Sequence, residues 1–154
     1  MDSKQIQYID FDQRSLDELL TIVNEDSLRT HLIDHPYFDR ASLAHWMDEK
    51  AQTDRLPGCR VKVIKVDDRI AGWCGIQPDE QGYELAIVLG KAYWGIGISV
   101  FKEMLKWSKA LGHSEVVFHL LESRPQYKAL QKMSTKVVQT QLLGRQFTTY
   151  TVSV

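Results

Sequence analysis

The 154-residue chain has the length of one ordinary domain and can bury a core without disulfide or metal staples. Its 19 Lys+Arg against 20 Asp+Glu leave a net charge of −1, which gives no basic footprint for nucleic acid. Cys59 and Cys74 form neither a CxxC nor a metal-ligand cluster, no stretch approaches the ~20 apolar residues of a membrane span, and no apolar signal core opens the chain, so the expectation is a cytoplasmic protein with reduced thiols and a single domain over 1–154.

In chain order, Ile6, Tyr8, Ile9 and Phe11 suit a short first strand over 6–11. Ser15 with Glu18 three residues later spells a capping box, and Leu16, Leu19, Leu20 and Val23 follow at helical spacing. Two further helical pieces are expected at 27–34 and 42–52, parted by His35-Pro36-Tyr37, the second with an apolar face of Leu43, Trp46 and Met47. His31 and His35 stand four apart, as a metal pair would on a helix, but no third ligand accompanies them, and no metal is expected. Residues 60–66 and 69–76 read as antiparallel strands joined by Asp67-Asp68, and 77–82 as a second turn leading into a third strand. Ile98, Phe101, Met104, Leu105, Ser108 and Leu111 mark a helix closed by Gly112, and 116–121 is a buried strand parallel to the one before that helix, because a helical crossover joins them. A helix over 125–133 and two strands, 136–142 and 147–152, joined across Gly144, complete the chain. The order β, α, α, β-β-β, α, β, α, β, β is an α+β arrangement around one mixed sheet, with a switch in direction beside Gly95-Ile96-Gly97.

The run from Tyr83 to Ser99 is a strand, a glycine-containing turn and the start of a helix. A helix N-terminus presents about four unpaired N–H groups and roughly half a positive charge, so it binds anions. Gly95 and Gly97 can adopt positive φ and let a ligand approach the main chain. A dinucleotide site with Glu122 on a ribose is disfavoured, since Val100 replaces the third glycine, a meander precedes the turn and too few βα units follow it. No Gly-Lys-Ser/Thr follows, which disfavours a Walker loop.

Glu84-Leu85-Ala86 through Tyr93-Trp94-Gly95-Ile96-Gly97 resembles, without a gap, the Glu-Leu-Gly-Tyr-x-Leu-x-Pro-x-Tyr-Trp-Gly-x-Gly spelling of the GCN5-related N-acetyltransferases (GNAT) and of their ribosomal-protein N-acetyltransferase-like branch. The family's Gln/Arg-x-x-Gly-x-Gly/Ala motif falls on 94–99, with Lys91 in place of the proline and Ser99 as the small last residue. The resemblance implies a mostly antiparallel sheet flanked by helices, with a parallel strand pair splayed at an acetyl-CoA site. The pyrophosphate would lie on Trp94, Gly95, Ile96, Gly97, Ile98, Ser99 and Val100, and the pantetheine arm along Ile87 and Leu89 as an added pseudo-strand. It also implies direct acetyl transfer to a primary amine, on a small molecule or a peptide or protein N-terminus, with neither nucleic acid nor membrane as partner.

Glu84 is the base candidate implied by the resemblance, on the strand leading to the turn and on one face with Ala86 and Val88. A solvated glutamate at a strand start is the plain alternative. Where relatives carry an acidic tyrosine this chain has Leu130, which leaves Ser123 or Tyr127 to protonate the leaving thiolate; Ser123 with Gln126 also spells an N-cap box. That gap keeps a second reading open, an acyl-CoA-binding or regulatory module that retains the cradle without the chemistry. His113 and His119 read as structural, and Trp73 and Cys74 as core or pocket wall, since no base accompanies the thiol. A homodimer could form by pairing of the strand at 147–152.

Overall fold

A computed structural model describes residues 5–25, 37–80, 82–121, 128–142 and 145–154. The expected helix at 27–34, His31, His35, Glu122, Ser123, Tyr127 and Gly144 lie outside them. The chain order is β1 (Ile6–Ile9), α1 (Leu16–Val23), α2 (Arg40–Asp54), β2 (Arg60–Val66), β3 (Arg69–Asp79), β4 (Gly82–Leu89), α3 (Gly97–Ala110), β5 (Glu115–Leu121), α4 (Lys128–Met133), β6 (Ser134–Leu142) and β7 (Arg145–Ser153). Short 3-10 turns at Gln13–Ser15 and Lys91–Ile96 run directly into α1 and α3.

The seven strands make one mixed sheet in the order β1-β2-β3-β4-β5-β7-β6. Every pairing is antiparallel except β4 with β5, as the helical crossover requires. The β2–β3 hairpin turns on Asp67 and Asp68, both at positive φ (49° and 70°), the geometry whose twist matches the flanking strands. Three residues later β3 bulges: Ile70 pairs with Lys65 and Gly72 with Ile64, leaving Ala71 as the extra residue. Its carbonyl accepts from Gly90 N–H at 2.8 Å.

Strand alternation divides the apolar residues between two cores. Leu85, Leu89, Val116 and Leu120 pack under α3 (Val100, Phe101, Met104) and α4 (Leu130). Val61, Val63, Trp73 and Val88 pack under α1 (Leu19, Ile22, Val23) and α2 (Leu43, Met47). Leu43 and Met47 are fully enclosed, and burial of such a side chain stabilises by ~1.5–3 kcal/mol.

Several expectations are corrected. The Ser15–Glu18 capping box does not form: Asp12 caps the 3-10 turn instead, and Glu18 Oε2 accepts from Ile70 N–H at 3.0 Å, tying α1 to β3. A capping box does open α2, between Asp39 and Ser42, two residues ahead of the expected helix start. The turn expected at 77–82 is mostly strand, since β3 continues through Gln77 and Pro78 to Asp79. β7 lies between β5 and β6, so both its edges are used and it cannot pair across a dimer; β6 is the edge strand.

Candidate active site

β4 is paired with β3 at eight positions but with β5 at only two, Glu84↔Val117 and Leu85↔Phe118. Beyond Leu85 the strands part and leave one side of β4 without a neighbouring strand. Gly90 N–H points to β3, so by alternation the main-chain groups of Leu89 and Ile87 face the gap. The carbonyl of Leu89 there accepts from the Trp94 indole Nε1 at 2.9 Å.

The 3-10 turn after β4 begins under Glu25, whose Oε1 accepts from Lys91 N–H at 2.9 Å. Its first amide is therefore already taken by a carboxylate. The N-terminus of α3 has no side-chain cap at Ile96; its Gly97 N–H donates to the Trp94 carbonyl as the 3-10 turn passes into the helix. Neither Gly95 nor Gly97 has positive φ, which corrects one reason given for them, and Gly97 is helical at φ −54°. What they supply is space: a Cβ on Gly95 would meet nothing within 4 Å, and one on Gly97 only Leu89 Cδ1 at 4.0 Å. Ile96 and Val100 point into the core and anchor the turn, while Trp94, Gly95, Ile98 and Ser99 form an exposed lip. A helix start without a side-chain cap, two open glycines and a gap beside β4 together fit a phosphate-bearing ligand with an extended arm.

Glu84 stands on the opposite sheet face from Leu85, where the two strands begin to part. It lies in a row of polar side chains across that face. Lys50 Nζ donates to Gln77 Oε1 (2.7 Å), and Gln77 Nε2 donates to Glu84 Oε1 (2.8 Å). Glu84 Oε2 is 3.8 Å from His119 Nε2, which also lies 3.4 Å from Asp79 Oδ2. His119 Nδ1 is 2.8 Å from Thr149 Oγ1, and Thr149 donates to Thr140 Oγ1 at 2.9 Å. The row is assembled by register, because Gln77 pairs with Glu84 across β3–β4 and His119 with Thr149 across β5–β7.

Burial raises the pKa of Glu84, and the Asp79 charge adds to the rise, while the Gln77 amide, His119 and Lys50 pull it down. Burial likewise lowers the pKa of Lys50, against the pull of Glu84 and Glu49. The Lys50 ammonium sits 4.8 Å from the Trp73 ring centre and 5.4 Å from that of Trp46. Phe11 and Phe38 extend this aromatic wall, each within 6 Å of the Trp46 ring centre. Asn24 fixes Phe38 by bonding both its N–H and its carbonyl at 2.9 Å.

Sequence reasoning missed His119, Asp79, Gln77 and Lys50 as neighbours of Glu84, for which no local signal exists beyond strand alternation. Asp79, Glu84 and His119 present ligand atoms within 4.8 Å of one another, a geometry open to a cation as well as to proton exchange. His113 is structural, with Nε2 2.7 Å from Gly58 O and its ring 4.3 Å from that of Tyr83. Cys74 is fully enclosed and burial pushes its thiol far above the usual range, which agrees with a place in the core and not with a nucleophile. Neither cysteine is in a disulfide.

The Acetyltransferase (GNAT) family profile matches residues 21–132, a span that holds the gap, the glycine-containing turn and Glu84. The chain belongs to the GNAT acetyltransferase family. The family match makes it an acetyl-transferring enzyme by descent, and the fold is that of solved GNAT structures. The microcin C7 self-immunity acetyltransferase MccE, solved with acetyl-CoA and AMP, superposes with a TM-score of 0.74 at 13% identity over 100% of this chain and 94% of its own. A ribosomal-protein-alanine N-acetyltransferase from Brucella melitensis gives 0.71 at 15% identity over 97% and 99%. An N-acetyltransferase from Staphylococcus aureus Mu50 gives 0.69 at 12% over 99% of both chains. At these identities the likeness shows the fold. No curated protein sequence matches the chain. No helix among the described residues is long and apolar enough to cross a membrane.

Proposed function

We propose that the chain is a single-domain, cytoplasmic N-acetyltransferase of the ribosomal-protein N-acetyltransferase-like branch. It moves the acetyl group of acetyl-CoA directly to a primary amine on a small molecule or a peptide N-terminus. The observation that carries the reading is the gap beside β4: two paired residues on the β5 side against eight on the β3 side, ending at the glycine-containing turn into α3. Main-chain groups of Ile87 and Leu89 would take the pantetheine arm, and the amides and open glycines from Trp94 to Val100 the pyrophosphate. Acetyl-CoA supplies the activated thioester when bound.

The chain then has to orient the amine and remove a proton from it. Fixing both reactants can supply ~7–11 kcal/mol of the barrier. Glu84 is the base, with Oε1 held by the Gln77 amide and Oε2 turned toward His119. Its raised pKa makes it a stronger base than an exposed carboxylate. The wall of Phe11, Phe38, Trp46 and Trp73 shields that side of the sheet from water. Ser123 or Tyr127, which follow β5 in sequence, supply the proton to the leaving thiolate, because Leu130 in the core has none to give. A homodimer, where one forms, would pair through the free edge of β6.

Thermal shift with CoA and turnover on a panel of amines test this reading. CoA should raise Tm, and at least one amine should be acetylated. CoA binding with no turnover on any amine would favour the binding-module reading, and the absence of any shift would sink both. A wild type whose Glu84→Gln variant keeps full kcat at every pH would remove Glu84 as base.

A further inference from the structure

Two half-buried lysines are satisfied in different ways. Lys62 is held by two carboxylates, Asp10 and Asp54. Lys50 has no carboxylate within ion-pair distance among the described residues. One of its three N–H groups goes to the neutral Gln77 oxygen at 2.7 Å, and the Trp46 and Trp73 rings lie beside the ammonium. The other two have no acceptor among the described residues. Burial disfavours this bare cation, and an anion brought beside it would work in the opposite direction. The same Gln77 gives its amide hydrogen to Glu84, so a cation and a carboxylate stand on one sheet face with the width of one amide group between them. Next to Gln77 and Glu84 on that face come Gly75 and Ala86, opposite each other across the ladder, which put no long side chain in the way. Phe11, Phe38 and Trp46, each partly exposed, border the Lys50 end.

We propose that the acceptor is a free α-amino acid with an apolar side chain, its carboxylate on Lys50, its amine at Glu84 and its side chain against the aromatic wall. The inference rests on the reading of Glu84 as the base of acetyl transfer and narrows the acceptor of that same site. An α-amino acid lying alongside Gln77 spans N–Cα–C–O, a similar width, and sets a charge of the opposite sign against each of the two protein groups. A peptide N-terminus has a neutral amide where Lys50 offers a charge, and a polyamine brings a second cation against it, so one residue disfavours both. In the reaction the acceptor ammonium loses two protons, one through Glu84 to solvent and one to the departing thiolate, as the N–C bond to the acetyl carbon forms and the C–S bond breaks. The products are an N-acetylamino acid and CoA. Lys50 takes no part in the proton transfers; it sets which amine is held.

Leucine, leucinamide and 3-methylbutylamine share one side chain and differ at the group that Lys50 would meet. Their binding can be followed by tryptophan fluorescence, with and without CoA, because Trp46 and Trp73 lie beside Lys50. Leucine is expected to bind about tenfold more tightly than either analogue; Lys50→Met should abolish the difference and Lys50→Arg keep most of it. Leucine binding no better than leucinamide, or a preference that survives Lys50→Met, overturns the proposal. The second measurement is kcat/KM with acetyl-CoA. Its ratio for leucine over 3-methylbutylamine is expected to fall about tenfold in Lys50→Met, through KM. Both amines use Glu84, so any effect of Lys50 on the base cancels in the ratio, and an unchanged ratio also overturns the proposal. The two readings fail separately. Leucine bound through Lys50 but never acetylated removes the transfer and leaves the amino-acid site, while amines without a carboxylate acetylated at least as fast as leucine leave the transfer and remove the amino-acid site.

Discussion

The turn before α3 is made of main chain, and the row from Lys50 to Thr140 is made of side chains. At the turn the useful groups are main-chain groups and the empty space beside Gly95 and Gly97, while Ile96 and Val100 point inward and Trp94 and Ile98 form the exposed lip. In the row every link is a side chain from a different element, brought into line by strand register. A main-chain site is encoded by neighbours in sequence, because the backbone turns where local residues let it. A side-chain site is encoded by which residues share a sheet face, and the members of this one come from six elements.

That contrast predicts different failures for the two regions. The largest effect is expected in the row, where Glu84→Gln should lower kcat by about 10²–10⁴-fold while CoA still raises Tm. The same change should stabilise the fold. Burial raises the pKa of Glu84 above its unfolded value, so the stability contributed by the neutral acid is complete below about pH 4 and is lost as pH rises through the raised value. The variant should therefore melt higher than wild type at pH 7, with the gap closing in acid; a lower Tm at pH 7 would mean that the carboxylate is better satisfied than its burial implies.

Next comes the bulge that shapes β4. A Cβ on Gly72 would lie 1.9 Å from the Val88 carbonyl oxygen, a backbone atom that cannot step aside. Gly72→Ala should cost ~3 kcal/mol or more, read by urea denaturation. Third, Gly97→Ala should separate binding from stability at the turn. The free protein has room for the methyl group and a helical φ to accept it, so stability should rise by ~0.5–1 kcal/mol. CoA affinity should fall about tenfold, or 1.4 kcal/mol, by calorimetry. Unchanged affinity would move the phosphates away from this turn. The smallest effect is expected for Lys50→Met on an amine without a carboxylate, where it removes only a cation that helps to hold Glu84 ionised. Its acid limb should rise by about half a pH unit, roughly threefold at fixed pH. An unmoved limb would mean that Lys50 has no part in holding Glu84 ionised.

Much of the frame is legible in the sequence. β2, the Asp67-Asp68 hairpin, α3 with Gly112 behind it and the parallel return of β5 all follow from local patterns, and the gap was anticipated from the motif at 84–99. The departures have physical causes. Asp12 stands one 3-10 turn ahead of Ser15 and takes over the capping, which frees Glu18 for Ile70. Pro78, Asp79 and Gly82 have turn chemistry, yet Pro78 pairs with Tyr83 inside the β3–β4 ladder. That misreading hid Gln77 and Asp79, which as strand residues point to Glu84. His119 had no local signature at all, since Asp79 is 40 residues before it and Thr149 is 30 after.

The two-residue contact between β4 and β5 has a consequence for how the molecule comes apart. By backbone pairing it is a four-stranded block of β1 to β4 and a three-stranded block of β5, β7 and β6, stitched at Glu84–Leu85 and otherwise held by the apolar core they share under α3. Blocks with so few shared ladder bonds need not open as one cooperative unit. Amide exchange in β6 and β7 should then run on its own clock, and a ligand bridging the seam should bring the two clocks together.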